Sequence, residues 1–502
     1  MKFLVIYDKI EADSFLRQSF SIEKYSKLRV SKLTVTETIV SLLPHLQDAK
    51  TFYSDKPLRD YQDVCEFFRS HQINLEDYHE HAAIYGYDAK YFPSDPKKLN
   101  NILAKAQHCQ QAVIYSIKGL NKEKQLLSSF KITVGLALSK EKAHETIVTD
   151  DATHIRIDLN PYILNLGVSS NAVDLFFDNF QTRHFNKIKS GKNYLLKASA
   201  NHSKMEAEYK FLKSVPTVVA PFYPQVGELL KEDKTTAYQV EKIYMFDGAR
   251  SFINQSFSDE AKITGLLDRI QEYFDLCPVK KVSNDEFQRK MRKMFIDKNR
   301  VRLEMTKKLD IFPKLNLVCN FYGYKDIDQV SKILTVKIED IITKKKDQEL
   351  RFSHGDLCLS NILYNFTTRQ MKLIDPRGIS ETGEEAYLPI YYDLAKLSHS
   401  FLGLYDLIAH DLMKTELVDG TDLQITNDFP SDYLNRLAKC FKAFLESQGF
   451  QLSEIRLLEA SLFLSMIPLH RESNTRMMTQ VLQAMVLLKQ SENDSSSTLG
   501  TL

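Results

Sequence analysis

The sequence predicts an α/β domain over residues 1–178, followed by an α+β domain with a small β-rich lobe at 179–245 and a large helical lobe at 246–490. In the first domain, short apolar runs alternate with polar helical patterns, as in a partly parallel sheet covered by helices. From about Arg183, strand, helix and strand follow in quick succession. Beyond Ser258 the apolar spacing of helices dominates. The polar residues 491–502 predict a disordered tail.

The composition is that of a folded protein, with 43% hydrophobic and 26% charged residues. A formal net charge of +2 points to neither a nucleic acid nor a membrane surface as partner. The N-terminal apolar run is too short for a signal peptide, and no apolar stretch is long enough to span a membrane. The six cysteines contain no C-x-x-C pair. We therefore expect a cytoplasmic protein with reduced thiols and no transmembrane segment.

The first domain contains no motif with recognisable chemistry. Its predicted strands are 3–7, 112–117, 132–138 and 154–159, and its predicted helices are 34–46 and 99–107. Both common glycine-rich nucleotide-binding motifs are absent from the sequence. The pair Asp150-Asp151 could hold a metal ion, but adjacent carboxylates before a strand are more often a solvated turn, which is the interpretation we favour.

The second domain combines a short β-rich stretch with a long helical one. Its β-rich lobe is predicted to contain a turn at 187–192, strands at 193–199 and 238–245, and a helix at 203–214. Its helical lobe is predicted to contain helices at 261–276, 285–309, 327–346, 391–410, 431–448 and 453–490. One non-helical segment, 352–385, interrupts this pattern, and the polar residues of interest lie within it.

Residues 352–378 of this segment read FSHGDLCLSNILYNFTTRQMKLIDPRG. Asp356 precedes Asn361 by five residues, and two apolar runs at 362–364 and 371–374 predict a hairpin that ends on Asp375. Because a hairpin brings its ends together, Asn361 and Asp375 should face one another, with Asp356 on the preceding loop. Hard oxygen ligands of this kind suit Mg²⁺, and the remaining carboxylate could accept the proton of an attacking hydroxyl. The pattern therefore predicts a phosphoryl-transfer site.

The motif His354-Gly355-Asp356-x4-Asn361, followed by Asp375, resembles the aminoglycoside phosphotransferase and choline kinase family, which has the protein-kinase-like fold. The resemblance spans roughly residues 183–490 and includes the segment Tyr-Asp-Leu-Ala at 392–395. It implies a small-molecule kinase that uses ATP and Mg²⁺.

The resemblance also implies roles for individual residues. Asp356 would be the catalytic base, and Asn361 and Asp375 would bind Mg²⁺. His354 would support the catalytic loop, and Asp393 would brace that loop through backbone hydrogen bonds. The alternative for the first three residues is a capped turn, which would require three independent matches to be accidental.

The small lobe offers candidates for nucleotide binding. Lys197 lies in an apolar strand, where an unpaired ammonium would be costly, so an acid on the next helix should hold it. Glu206 and Glu208 are both candidates, and Glu208 is favoured because the spacing E-x-x-[FY]-x4-P is similar to that of the family's helix. The alternative places Lys197 at a sheet edge with both glutamates on the surface. The backbone of Glu241 and Ile243, between the lobes, would receive adenine by inference from position.

Two departures from the family pattern concern the phosphate and acceptor sites. No glycine-rich loop precedes Lys197, and only Ser190-Gly191 could form a tight turn there. The second departure is that Asp375 is followed by Pro376, which stiffens the backbone, and by Arg377. Arg377 could meet an anionic substrate or the transferring phosphoryl group, or it could instead pair with Glu381 or Glu384. The basic helix predicted at 285–309 is either a solvated amphipathic helix or a rim that attracts a phosphorylated or acidic saccharide.

The sequence therefore predicts an ATP-dependent phosphotransferase acting on a hydroxyl of a small molecule, namely a sugar, an amino alcohol such as choline, or a saccharide precursor. The Asp-Pro-Arg-Gly ending at 375–378 and the preceding α/β domain are similar to kinase-like proteins of bacterial surface-polysaccharide synthesis, whose first domain in some cases resembles a nucleotidyltransferase or glycosyltransferase. The alternative is a nucleotide-binding, kinase-like scaffold without activity. A protein kinase ranks last, because no A-P-E motif is evident.

Overall fold

The computed structural model describes the following residues: 2–7, 24–30, 32–55, 61–73, 82–89, 91–106, 113–118, 123–132, 155–158, 163–165, 186–190, 194–232, 234–380, 384–418 and 422–493. These residues belong to two compact units, Met1–Phe180 and Gln181–Leu502. The candidate chemistry lies in the second unit.

The first unit is built on a mixed six-stranded sheet in the order β2-β1-β3-β6-β5-β7. Parallel pairs join β1 to β2 and β3, and β5 to β7, whereas β6 is antiparallel to both of its neighbours. The described strands are β1 (Lys2–Tyr7), β2 (Lys50–Ser54), β3 (Ala82–Asp88), β4 (Tyr91–Pro93), β5 (Val113–Lys118), β6 (Glu123–Ile132), β7 (Ile155–Asp158) and β8 (Ile163–Asn165). The described helices are α1 (Val35–Leu42), α2 (Tyr61–Ser70) and α3 (Pro96–Ala106).

Local sequence explains where α1 begins. Thr34 and Glu37 form a capping box, in which each side chain accepts a hydrogen bond from the other residue's backbone N–H group. The helix predicted at 34–46 ends early, and its last part is a 3₁₀ turn at Pro44–Leu46. Of the strand predicted at 132–138 only Ile132 is described, and it ends β6. The pair Asp150-Asp151 lies outside the described residues.

The second unit begins with an antiparallel sheet in the order β11-β12-β10-β9, with one helix after β10. Its elements are β9 (Asn186–Ser190), β10 (Tyr194–Ser199), α4 (His202–Lys213), β11 (Val226–Lys231) and β12 (Thr236–Glu241). The predicted turn at 187–192 is wrong, because pairing with β10 draws most of this segment into a strand. The predicted strand at 238–245 ends at Glu241, and the chain then runs irregularly toward the helical lobe.

The helical lobe contains α5 (Gly248–Ile253), α6 (Glu260–Leu276), β13 (Val279–Lys281), α7 (Asn284–Arg292), α8 (Lys298–Thr306), α9 (Phe312–Phe321), α10 (Ile327–Lys344), β14 (Glu349–Phe352), β15 (Ile362–Tyr364), β16 (Met371–Leu373), β17 (Tyr387–Leu388), α11 (Tyr391–Phe401), α12 (Tyr405–Ala409), β18 (Met413–Val418), β19 (Asp422–Asn427), α13 (Ser431–Ser447), α14 (Leu452–Met466) and α15 (Asn474–Asn493). The predicted hairpin is present as β15 and β16. Among the described residues, every helix is too short or too polar to cross a membrane.

Three helices that the sequence predicts as continuous are interrupted. A π-helical segment, Lys293–Asp297, separates α7 from α8. Leu404, in the left-handed region at φ 53°, separates α11 from α12. The 3₁₀ turn Ile467–Leu469, which contains a proline, follows α14. Helix α15 continues to Asn493, so the first three residues of the predicted tail are helical, and residues 494–502 lie outside the described part of the chain.

Aromatic contacts hold the site-bearing elements in the core. Phe401 at the end of α11 stacks on Phe441 of α13, with ring centroids 5.0 Å apart and planes 4° apart. Phe211 of α4 stacks on Phe352 of β14 at 5.1 Å, which joins the small lobe to the strand that leads into the His354 loop. The cysteines whose side chains are described, Cys277, Cys319, Cys358 and Cys440, are buried and form no disulfide.

We expect Phe441→Ala to lower the free energy of unfolding by about 3–5 kcal/mol, because it leaves a cavity beneath α11. Phe321→Ala is the matched control, because Phe321 is 47% exposed, and its cost should stay below about 1 kcal/mol. Urea unfolding followed by tyrosine fluorescence measures both, since the chain has no tryptophan. Equal effects of the two substitutions would contradict this account of the core.

Candidate active site

The hairpin of β15 and β16 brings the ends of the polar segment together. The N–H group of Ile374 donates to the carbonyl of Asn361 at 3.0 Å, which ties the residue before Asp375 to Asn361. The Asn361 side-chain amide donates to the carbonyl of Asp356 at 2.8 Å. Asp375 has a left-handed backbone with φ of 55°, a strained conformation for a residue other than glycine. The structure therefore brings the three predicted residues into one connected segment.

Asp356 contacts a residue that the sequence analysis did not identify. Its carboxylate lies 2.7 Å from the ammonium of Lys396, which is in the middle of α11 and 5% exposed. Burial lowers the pKa of Lys396, but Asp356 and Tyr392 outweigh that effect and the net shift is upward. All residues of this helix are buried, so the Lys396 ammonium needs a partner, and Asp356 supplies it.

His354 and Asp393 hold the loop from beneath. The Gly355 N–H group donates to the Asp393 carboxylate at 3.0 Å, and Nε2 of His354 lies 2.9 Å from the carbonyl of Ile374. Burial lowers the pKa of His354 to about 4, so the ring is neutral at physiological pH. Burial also raises the pKa of Asp393 to about 7, against the opposing effect of the Gly355 N–H group. Both residues contact backbone groups, as a supporting role requires.

A buried lysine joins the two lobes. The ammonium of Lys197 on β10 pairs with Glu208 of α4 and lies 2.7 Å from the Asp375 carboxylate. The hydroxyl of Tyr238 on β12 also donates to Glu208. Glu206 instead pairs with Lys231 at 2.8 Å, near the surface. Of the two glutamates left open by the sequence, Glu208 is therefore the one that contacts Lys197.

The charges of this arrangement stabilise one another. Burial alone would lower the pKa of Lys197, but Asp375 and Glu208 outweigh it and shift the pKa upward. Burial raises the pKa of Asp375, but the positive charge of Lys197 more than offsets this effect, so the net shift of the pKa is downward. Lysine and aspartate are therefore both charged, which a site for a polyphosphate and a cation requires.

A glycine sets the distance between the Asp375 loop and the helix that carries Glu208. A Cβ atom at Gly378 would lie 2.6 Å from the Cβ of Ala207, closer than side-chain carbons approach. The next residue, Ile379, donates its N–H group to the carbonyl of Ala207 at 3.0 Å. The loop and α4 are thus in backbone contact, which holds the Glu208 side of the ion pair close to Asp375.

The segment between the lobes is only partly available to a ligand. The N–H group of Glu241 already donates to the carbonyl of Gln225 at 2.8 Å, and the Glu241 side chain accepts from the Gln225 N–H group. The N–H group of Ile243 donates to no other backbone group among the described residues. Of the two predicted adenine-binding positions, Ile243 is therefore the one with a free backbone donor in this structure. Gly191, the candidate turn glycine, lies outside the described residues.

Arg377 lies at the other end of the Asp375 loop and turns toward the helical lobe. Its N–H group donates to the carbonyl of His354 at 2.9 Å, and its guanidinium lies 3.2 Å from the Met294 sulfur. Its guanidinium carbon is 5.8 Å from the centre of the Tyr392 ring. The side chains of its two alternative partners, Glu381 and Glu384, lie outside the described part of the chain.

The donor set fits a hard divalent cation. The Asn361 amide nitrogen is engaged by Asp356, which leaves its carbonyl oxygen for a metal, and the Asp375 side chain is 52% exposed. One amide oxygen and one carboxylate suit Mg²⁺, which takes few protein ligands and keeps waters. Among the described residues no cluster of three or more His, Cys, Asp or Glu side chains could hold a metal ion. Asn361 and Asp375 could therefore hold Mg²⁺ only together with water or substrate oxygens.

Comparison with known proteins found likeness in structure alone. No family model and no curated protein sequence matches the chain. A thermostable mutant of aminoglycoside phosphotransferase APH(4)-Ia is similar over 65% of this chain and 100% of its own, with 10% identity and a TM-score of 0.37. Aminoglycoside phosphotransferase APH(3'')-Id from Streptomyces rimosus, in complex with ADP and streptomycin, covers 55% and 86% at 15% identity and a TM-score of 0.33.

Choline kinase from Cryptosporidium parvum is similar over 63% of this chain and 92% of its own, with 11% identity and a TM-score of 0.30. These three structural neighbours are all small-molecule kinases. At TM-scores below 0.5 this likeness carries no functional conclusion by itself.

We expect Asp393→Asn to flatten the dependence of stability on pH. The pKa of Asp393 is about 7 in the folded protein, against an ordinary value of 3.8. Its contribution to stability is therefore fully present below the ordinary value and is lost as the pH rises through 7. Asparagine keeps an oxygen for the Gly355 N–H group but cannot ionise.

The measurement is the melting temperature at about pH 5 and about pH 8, where the wild type should lose more stability than Asp393→Asn. Asp340→Asn, at a surface pair with Lys344, is the control and should behave as wild type. An Asp393→Asn protein with the full wild-type difference would show that Asp393 does not hold its proton as described.

Proposed function

We propose that this chain is an ATP-dependent phosphotransferase that transfers the γ-phosphoryl group of ATP to a hydroxyl of a small molecule. One observation carries the proposal: Lys197, which pairs with Glu208, also contacts Asp375, 178 residues further along the sequence. Beside this contact, the Asn361 amide is hydrogen-bonded to the carbonyl of Asp356. An inert scaffold has no need for a buried ammonium, two metal-type oxygen ligands and a separate carboxylate within one connected site. Resemblance of the motif to the aminoglycoside phosphotransferase and choline kinase family supports the same class of reaction.

In the proposed reaction, Lys197 binds phosphate oxygens of ATP while Glu208 keeps the ammonium in place. Asn361 and Asp375 would hold Mg²⁺, which when bound supplies positive charge to the phosphates. The backbone of the interlobe segment, with Ile243 as donor and Glu241 offering only its carbonyl, would receive adenine. The contact between Lys197 and Asp375 supports this arrangement, because the ammonium and the metal ligand would then lie on the same triphosphate.

The transfer step uses Asp356 as the base. The acceptor oxygen attacks the γ-phosphorus and forms a new oxygen–phosphorus bond, while the bond from that phosphorus to the β–γ bridging oxygen breaks and ADP leaves. Asp356 takes the proton of the acceptor hydroxyl. Lys396 fixes the orientation of the Asp356 carboxylate, because the ion pair comes from a buried, rigid helix.

The proposed acceptor is a sugar, an amino alcohol or a saccharide precursor. We further propose that the reaction belongs to surface-polysaccharide synthesis. This placement is supported by the Asp-Pro-Arg-Gly sequence and by the preceding α/β unit.

The direct test is ATP consumption by the purified full chain with a panel of sugars and amino alcohols. We expect substrate-dependent release of ADP, reduced by about 100- to 10 000-fold in Asp356→Ala, the range typical for loss of a general base. Binding of ATP to Asp356→Ala, measured by calorimetry, should be unchanged. ATP binding without turnover by the wild type on any acceptor would favour the scaffold instead.

The two neighbouring glutamates provide a matched pair of variants. Glu208→Gln should reduce kcat/KM for ATP by about 10- to 100-fold, because it leaves the buried Lys197 without its small-lobe partner. Glu206→Gln should change it by less than about twofold, because its pair with Lys231 is near the surface. Similar losses in both variants would contradict the assignment of Glu208 to the nucleotide site.

A further inference from the structure

Three cationic side chains gather around one buried tyrosine next to Asp356. The ammonium of Lys298 donates to the Tyr392 hydroxyl at 2.6 Å and lies 5.1 Å from the ring centre. Arg377 approaches the same ring, and Lys396 pairs with Asp356 one helical turn further along α11. Lys298, Arg377, Lys396 and Tyr392 are called the Tyr392 cluster below.

The cationic side chains of the Tyr392 cluster outnumber the carboxylates that pair with them. Asp356 pairs with Lys396, and no other carboxylate among the described residues forms an ion pair with Lys298 or Arg377. Within ion-pair distance, the three cationic side chains therefore have a single carboxylate partner among the described residues, Asp356, which leaves positive charge in excess. Burial lowers the pKa of Lys298, and repulsion from Lys396 and Arg377 adds to that effect despite the Tyr392 hydroxyl. Partly buried cations with this excess are stabilised by an anion that the chain does not supply.

The fold positions these cations rather than leaving them on flexible surface arms. Lys298 begins α8 directly after the π-helical segment, and that segment also supplies Met294, which contacts Arg377. Gly355 has a φ of 76°, and a Cβ there would lie 2.7 Å from the Cβ of Arg377. A glycine next to Asp356 thus admits the Arg377 side chain against the catalytic loop. Rare π-helical turns of this kind occur frequently at functional sites.

The cluster lies on the acceptor side of the proposed reaction. Asp356 would take the proton of the acceptor hydroxyl. Lys396 pairs with Asp356, and Arg377 lies against Gly355, the residue before Asp356, so this side of the cluster adjoins the acceptor. The nucleotide phosphates have a different ammonium, Lys197, which pairs with Asp375 and Glu208 and not with Asp356. Of the basic residues predicted to form a rim along 285–309, Arg292, Arg300 and Lys307 instead pair with acids, and Lys298 is the one that contacts Tyr392.

We propose that the acceptor is an anionic hydroxyl compound, with a phosphate or carboxylate group that Lys298 and Arg377 bind close to the reacting hydroxyl. This inference rests on the proposed function and narrows its acceptor class. A neutral sugar would leave the excess charge uncompensated, and an amino alcohol or another cation would be repelled. A phosphosugar and a sugar acid share the required chemistry.

The first experiment compares matched acceptors with the full chain, ATP and Mg²⁺: glucose with glucose 6-phosphate, glycerol with glycerol 3-phosphate, and glucose with glucuronate, with choline as the cationic member. The anionic member of a pair should have a kcat/KM about 10- to 100-fold higher, the range for one or two charge-assisted hydrogen bonds. Preference for phosphates over glucuronate, or the reverse, identifies the anionic group. Preference for the neutral members or for choline would overturn the inference.

The second experiment locates the effect. Lys298→Met should raise KM for the anionic acceptor by about 10-fold or more while KM for ATP changes by less than about twofold. Arg300→Met is the control, because Arg300 lies on the same helix and faces Asp297 at 3.6 Å on the surface. An increase in KM for ATP instead would assign the cluster to the nucleotide phosphates and overturn the inference.

The third experiment needs no turnover, so it separates failure of this inference from failure of the proposed function. Inorganic phosphate is titrated by calorimetry into the full chain saturated with AMP-PNP and Mg²⁺, which fill the nucleotide site. Wild type and Arg300→Met should bind phosphate, and Lys298→Met should bind it about 10-fold more weakly or not at all. Absence of phosphate binding to the wild type, or equal binding by all three proteins, would overturn the anionic acceptor even if ATP turnover is observed.

Discussion

The organisation of the site depends on the ion pairs that the buried ammonium of Lys197 forms with Glu208 and Asp375. A lysine that is 5% exposed needs negative partners, and it obtains them from α4 and from the loop after β16. One charge therefore couples a strand and a helix of the small lobe to the hairpin loop of the helical lobe. Glu208 is buried with the lysine and would be costly to bury without it, whereas the Asp375 side chain is half exposed and extends the pair toward the open side of the site.

The neighbouring centre at Asp356 follows the same rule with a different lysine. Lys396 comes from a helix in which every residue is buried, so its charge can only be balanced by a group that reaches it across the core. The two ammonium groups divide the site, since Lys197 faces Asp375 and Lys396 faces Asp356. This division gives a physical basis for the separate nucleotide and acceptor ends that we propose.

Much of the polar centre could be predicted from sequence because it is local. Asp356, Asn361 and Asp375 lie within twenty residues, and a hairpin between them follows from apolar runs and a polar turn. The choice of Glu208 over Glu206 depends on which face of α4 meets the sheet, and spacing alone favoured it only weakly. Lys396 and Lys298 could not be assigned, because their partners lie on other elements of the fold. The strand β9 was also missed, because its polar sequence does not indicate a strand. It forms a strand through backbone pairing with β10, which is another element of the fold.

The contact at Gly378 has a consequence for how such a protein can be controlled. Because the Asp375 loop and α4 share a backbone hydrogen bond and have no space for a side chain between them, an outward swing of that helix would have to carry the loop along. Regulation by displacing the helix alone, with the rest of the cleft intact, is therefore disfavoured. A shift of α4 in this protein would therefore also shift the loop that carries Asp375.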